Sequence, residues 1–105
     1  MNGICLKFYV LESQRHEGRL VHEWLMDAAI GLGLPGCSVF RSIGGYGHHH
    51  KRHDRAFVEL QGTLPVEVVF VLDEDGARRL LERVDQERLA LFHVRVPVEC
   101  GFTAA

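Results

Sequence analysis

Ile4, Leu6, Phe8 and Val10 alternate with Cys5, Lys7, Tyr9 and Leu11, the period-two pattern of a β-strand whose second face is also largely apolar. Ser13 to Gly18 is polar and rich in turn formers. From there to about Leu32 the spacing turns helical, with Leu20, Val21, Trp24, Leu25, Ala28 and Ala29 in one stripe. Gly31, Gly33 and Pro35 end it. Cys37 to Ile43 predicts a second strand, with Val39 and Ile43 on one face and Phe40 on the other. Ala56 to Leu60 is again extended, closed by Gly62 and Pro65. Val66 to Leu72 is the strongest strand pattern in the chain and is apolar on both faces. Asp73 then offers an N-cap, with Glu74 and Asp75 at the positive end of the helix dipole. Ala77, Leu80, Leu81 and Val84 fall at i, i+3, i+4 and i+7, so the second helix is amphipathic. Leu89 to Val98 predicts the last strand, and Pro97 suits an edge or a strand end.

The order is β-α-β-(loop, short β)-β-α-β, two βαβ units in one domain spanning residues 1–105. This pattern predicts an α+β, ferredoxin-like antiparallel sheet with both helices on one face. The other face then carries Tyr9, Leu11, Val69, Val71, Leu89 and Leu91. A monomer seldom exposes that much apolar surface. Burying it contributes roughly 25 cal/mol per Å², so the pattern alone predicts an oligomer built on the open face. A hairpin at 54–61 folded across that face is the competing explanation.

Composition narrows the function. A chain of 105 residues holds one core, and 47% hydrophobic with 25% charged residues is ordinary for a globular domain. A net charge of -2 argues against a dedicated nucleic-acid binder, which is usually basic overall. Three widely spaced cysteines, Cys5, Cys37 and Cys100, make no disulfide framework and point to a reducing, cytoplasmic setting. No stretch approaches the ~18 apolar residues of a membrane span, so no membrane insertion is expected.

The chemistry gathers between Gly44 and Arg55. Gly44, Gly45 and Gly47 permit a tight turn with exposed N–H groups, and His48, His49, His50 and His53 follow beside Lys51, Arg52 and Arg55. Three cations against Asp54 leave this stretch a formal +2 with its histidines neutral. Arg41 ends the strand that feeds it. An anionic ligand held by Arg41, Gly45, Gly47, His53 and Arg55 is one expectation. A divalent metal on His48, His49, His50 and His53 is another, since imidazole ligates zinc, copper and nickel. A solvated, mobile loop over about 47–54 explains the same residues more simply. His16, His22 and His93 have no partner in the sequence. No nucleophile–base set or carboxylate pair stands out, so no enzyme is expected.

Beyond these patterns, LKFYV, GLPGCSVFRSIGGYG, HDRAFVEL, LPVEVVFV, RRLLERV and LFHVRVPVE, which run almost end to end, carry a family resemblance. The chain resembles the PII-like proteins of domain-of-unknown-function family 190, which are related to PII signalling proteins and more distantly to CutA. The resemblance implies a homotrimer with its sheets around the three-fold axis and ligand clefts between subunits. It implies a loop after the second strand, the T-loop of PII proteins, that senses effectors and docks a membrane transporter or metabolic enzyme; Gly45-Tyr46-Gly47 looks like its start. An adenine nucleotide or a divalent metal is the bound group that the resemblance suggests. CutA-like metal binding through the histidine run is the alternative. One departure bears on nucleotides. Where PII proteins carry a basic, glycine-containing phosphate loop, this chain has Asp85-Gln86-Glu87-Arg88-Leu89, short and mostly acidic.

Histidine titrates near about pH 6.5, so the charge on residues 48–53 should rise between pH 8 and pH 5. NMR titration of the four imidazoles checks this, and four unchanged resonances would contradict it.

Overall fold

The computed structural model describes residues 1–46, 52–54 and 64–104. Its first strand, β1 (Asn2–Leu11), buries Ile4, Leu6, Phe8 and Val10 as the alternation requires. The polar stretch that follows is more than a turn. Arg15–His16 (β2) and Arg19–Leu20 (β3) pair as a small antiparallel hairpin, with Arg15 opposite Leu20 and His16 opposite Arg19. Glu17 (φ 51°) and Gly18 (φ 81°) form its two-residue turn. Positive φ at both positions is the type I′ condition, which matches the twist of the flanking strands. Leu20 leads directly into α1 (Val21–Gly31), which buries Val21, Trp24, Leu25 and Ala29.

Gly33 (φ 72°) ends α1 in the left-handed conformation. Leu34 donates back to Ala29 and Gly33 to Ile30, a Schellman closure that folds Leu34 against the core. Next come β4 (Ser38–Arg41), β5 (Gly44–Tyr46) and β6 (Arg52–Asp54), then β7 (Pro65–Leu72). The strand expected at 37–43 is thus shorter: Cys37 packs against the core ahead of it, and Ile43 is exposed beyond it. The extended segment expected at Ala56–Leu60, and most of the 47–54 loop, lie outside the described residues.

The main sheet runs β4-β7-β1-β8, every pair antiparallel, with β8 spanning Phe92–Glu99. Helix α2 (Glu74–Gln86) starts at Asp73, whose side chain accepts from the Gly76 N–H at 2.6 Å. It buries Ala77, Leu80 and Val84 beside the α1 stripe and the inner faces of β1 and β7. Both helices therefore cover one face, the ferredoxin-like arrangement. Among the described residues no helix is long and apolar enough to cross a membrane.

Two expectations about the last strand are corrected. It begins at Phe92 rather than Leu89, and Leu89 and Leu91 pack against the helix-side core instead of the open face. Arg88 (φ 59°) is the cause. It closes α2 as Gly33 closes α1, with Arg88 donating to Asp85 and Leu89 to Val84, which turns Leu89 inward.

The open face remains apolar without those two leucines. Register places Phe40, Glu67, Tyr9 and Phe92 in one cross-strand row, Val71, Cys5 and Val96 in another, and Val69, Lys7 and Val94 between them. Tyr9 packs on Phe92 with ring centroids 5.8 Å apart, yet the two are 41% and 70% exposed. The Lys7 ammonium meets the Glu67 carboxylate at 3.1 Å inside this field.

Phe70 is fully buried and meets Phe8 edge to face at 6.2 Å. Phe70→Ala should lower the unfolding free energy by about 3–5 kcal/mol, read from the urea midpoint of the variant against the wild-type chain.

Candidate functional site

Strand β4 outruns the sheet. Its last paired residue, Arg41, stands opposite Val66, and Ser42 still donates to the Pro65 carbonyl at 2.9 Å. Beyond Ile43 the chain re-forms as a separate two-stranded ribbon, with Gly44 opposite Asp54, Gly45 opposite His53 and Tyr46 opposite Arg52. Gly45 has φ 150°, a conformation side chains rarely adopt, while the space around its missing Cβ is open. The demand for glycine there is conformational rather than steric.

At the foot of the ribbon, Arg41 donates to the Glu12 carboxylate. Glu12 is itself fixed by its backbone N–H, which donates to the Leu64 carbonyl at 2.7 Å. The Arg41 guanidinium is 51% exposed, so it can be approached from solvent, but its charge already has a partner. Of the residues expected to hold an anion, the structure thus brings Arg41, Gly45 and the backbone of His53 to one end of the sheet. Gly47 and Arg55 lie outside the described residues, as do His48, His49 and His50.

The same end holds a second group of polar side chains. Register puts the end of β1 (Leu11), the start of β7 (Pro65) and the start of β8 (Phe92) here, together with the C-terminus of α2. The β2–β3 hairpin packs against that helix end. His16 Nε2 lies 2.8 Å from Glu87 Oε2, and Arg83 Nη1 donates to Glu87 Oε1 at 3.0 Å. Trp24 supports both neighbours. The Arg83 guanidinium sits 5.0 Å from its ring centroid, and the His16 ring meets it edge to face at 6.3 Å. The hydrogen bond from His16, then that from Arg83, holds the Glu87 carboxyl below the usual carboxylate range.

This cluster lies where the sequence shows the short acidic segment, with one difference. Asp85 and Gln86 belong to the last turn of α2, so the connection to β8 begins only at Glu87. His16 has a partner after all, but 71 residues away, and no spacing rule could have joined the two. His22 keeps a buried Nδ1 without a partner among the described residues. Burial pushes the Cys37 thiol up, which suits a core residue rather than a nucleophile. Two shallow hollows of about 200 and 240 Å³ lie at the other end of the sheet, around Leu72 and Leu34, and no residue of either polar group lines them.

Comparison with known proteins gives a consistent picture. The profile of the DUF190 family, described as uncharacterized, matches residues 3–92. A UPF0166 protein of Aquifex aeolicus is 32% identical over 79 residues, covering 75% of each chain. Among solved structures, a PII-like signalling protein of Thermus thermophilus superposes with a TM-score of 0.61 at 15% identity, over 92% of this chain and 86% of that one. CPII of Thiomonas intermedia, a nitrogen regulatory PII-like protein bound to ADP, AMP and bicarbonate, gives a TM-score of 0.65 at 14% identity, over 93% of this chain and 89% of its own. At such identities the two structures establish the fold alone.

Because the folded chain holds the Glu87 carboxyl below its ordinary value of 4.5, the stability this contributes is complete above that value. It is lost as pH falls through the lower folded value. The urea midpoint of the wild-type chain should exceed that of Glu87→Gln at pH 7, and the gap should close as the pH is taken below 4.5.

Proposed function

The chain belongs to the DUF190 family, and from that premise we propose that it is a PII-like regulatory protein and not an enzyme. In this reading it forms a homotrimer through the open sheet face. It senses a small anion, an adenine nucleotide or bicarbonate, at clefts between subunits, and it signals through the ribbon and its loop to a transporter or metabolic enzyme. The observation that carries the reading is the ribbon itself, a glycine-bearing extension of β4 rooted beside the Arg41–Glu12 pair. Whatever binds at its foot acts directly on the segment that leaves the sheet.

Supporting this, the exposed rows of Tyr9, Phe40, Phe92, Val71 and Val96 supply an association surface that the helices leave uncovered. CPII, of the same fold, is described as bound to ADP, AMP and bicarbonate, all anions that a guanidinium and backbone N–H groups can hold. Arg41 would exchange Glu12 for the ligand, with Gly45, Gly47, His53 and Arg55 completing the site. Freed from its ion pair, Glu12 would then report occupancy to the end of β1. Glu87 near this end takes up the charge of Arg83, which leaves less positive field for a triphosphate than for a smaller anion.

Light scattering at micromolar concentration should give a trimer's mass. Calorimetry with ATP, ADP, AMP and bicarbonate should find at least one ligand, and Arg41→Ala and Arg55→Ala should each weaken it by about 1–3 kcal/mol with the trimer intact. A monomer, no binding across the panel, or unchanged affinity in both variants would overturn the reading.

A further inference from the structure

The hairpin turn and the end of α2 bring three metal-ligating groups together that the reading above leaves unused. His16 Nε2, a Glu17 oxygen and a Glu87 oxygen all lie within 4.8 Å of one another. His16 Nε2 is 2.8 Å from Glu87 Oε2 and 4.0 Å from Glu17 Oε1. We propose that His16, Glu17 and Glu87 form a site for a divalent transition-metal ion of the zinc(II) type, open to solvent on its Glu17 side.

The ion would take the place of the proton shared between His16 Nε2 and Glu87 Oε2, with the ring keeping its hydrogen on Nδ1, and the geometry needs little adjustment. Oxygen and nitrogen ligands sit about 2.0–2.2 Å from zinc, which places pairs of them roughly 3–4 Å apart around one ion. The observed separations bracket that interval. One imidazole with two carboxylates is a borderline donor set, better matched to zinc(II), cobalt(II) or manganese(II) than to calcium or copper(I).

Two of the ligands are already held. The His16 ring is set against Trp24, and Glu87 is oriented by Arg83, which takes Oε1 and leaves Oε2 facing the imidazole. An outer partner of this kind fixes a ligating carboxylate without competing for the same oxygen. With His16 neutral, Glu17, Glu87 and Arg83 sum to one negative charge, so the site attracts a cation. Glu17 is mostly exposed, and it occupies a left-handed position (φ 51°) that type I′ turns normally give to asparagine or glycine. Fold alone gives no reason for glutamate there; ligation does.

The simpler alternative is that His16 and Glu87 merely tie the hairpin to the helix by a hydrogen bond. Under it Glu17 has no part. Imidazoles in the run at 48–53 also have the chemistry to ligate metals, so the experiment uses the full chain with His48, His49, His50 and His53 replaced by asparagine. Cobalt(II) is titrated into this protein, followed by its visible absorption and by calorimetry. One cobalt(II) should bind per chain. His16→Ala should weaken binding beyond the roughly 10- to 100-fold that loss of an outer partner costs. Glu17→Gln, which removes a ligating carboxylate, should weaken it at least about tenfold, with thermal unfolding of the metal-free protein unchanged. Because Glu17 is exposed, this variant keeps the test decisive even if His16→Ala folds poorly. No saturable binding in the loop-substituted chain, or unchanged affinity in Glu17→Gln, would overturn the proposal.

Discussion

The pairing of β1 with β7 is the constraint from which the rest of the subunit follows. Eight consecutive residue pairs, from Ile4 opposite Leu72 to Leu11 opposite Pro65, lock two alternating sequences in phase. A slip of one residue would set the inward residues of the two strands on opposite faces, so that either Leu6 and Phe8 or Val68 and Phe70 turned away from the helices. With the phase fixed, both helices find a continuous inner surface, and the outer surface receives whatever the odd positions of β1 carry. The same ladder sets where the chain leaves the sheet. Its end at Leu11 and Pro65 delivers Glu12 beside Arg41 and lets Ser42 hold on to Pro65 before the ribbon departs.

One end of the sheet thus collects two groups of polar side chains. The ribbon foot and the hairpin–helix junction share it, and both are built from residues at or just past the ends of regular elements. Their backbones are pinned by hydrogen bonds to those elements, while their side chains remain reachable. That combination is what a site of exchangeable charge partners requires, since a guanidinium sealed in the core could not trade one anion for another.

Elements whose partners are local can be read from the sequence; contacts closed by the fold cannot. Strands β1 and β7 announce themselves by alternation, and α2 by its cap and stripe, because each property is a matter of near neighbours. The β2–β3 hairpin stays hidden, since Glu17 stands where asparagine or glycine would signal the turn. The last strand reads as starting three residues early because Leu89 and Leu91 look like strand residues until Arg88 reverses the chain. Arg41 and Gly45 stand out by their place at a strand end. The partners of Arg41 and His16 do not, being 29 and 71 residues away.

The Lys7–Glu67 pair on the open face has a consequence for how copies of the chain can meet. In water it contributes little. Pressed against a neighbouring sheet it would lose its hydration, and a docking that separated the two charges would leave each buried without a partner. The apolar rows on either side are tolerant of sliding, as hydrophobic contacts are non-directional. In an assembly of the kind proposed, a single ion pair set among them would work like a key in a keyway: it would add almost nothing to the strength of the joint, but it would disfavour every alignment that parts the two charges.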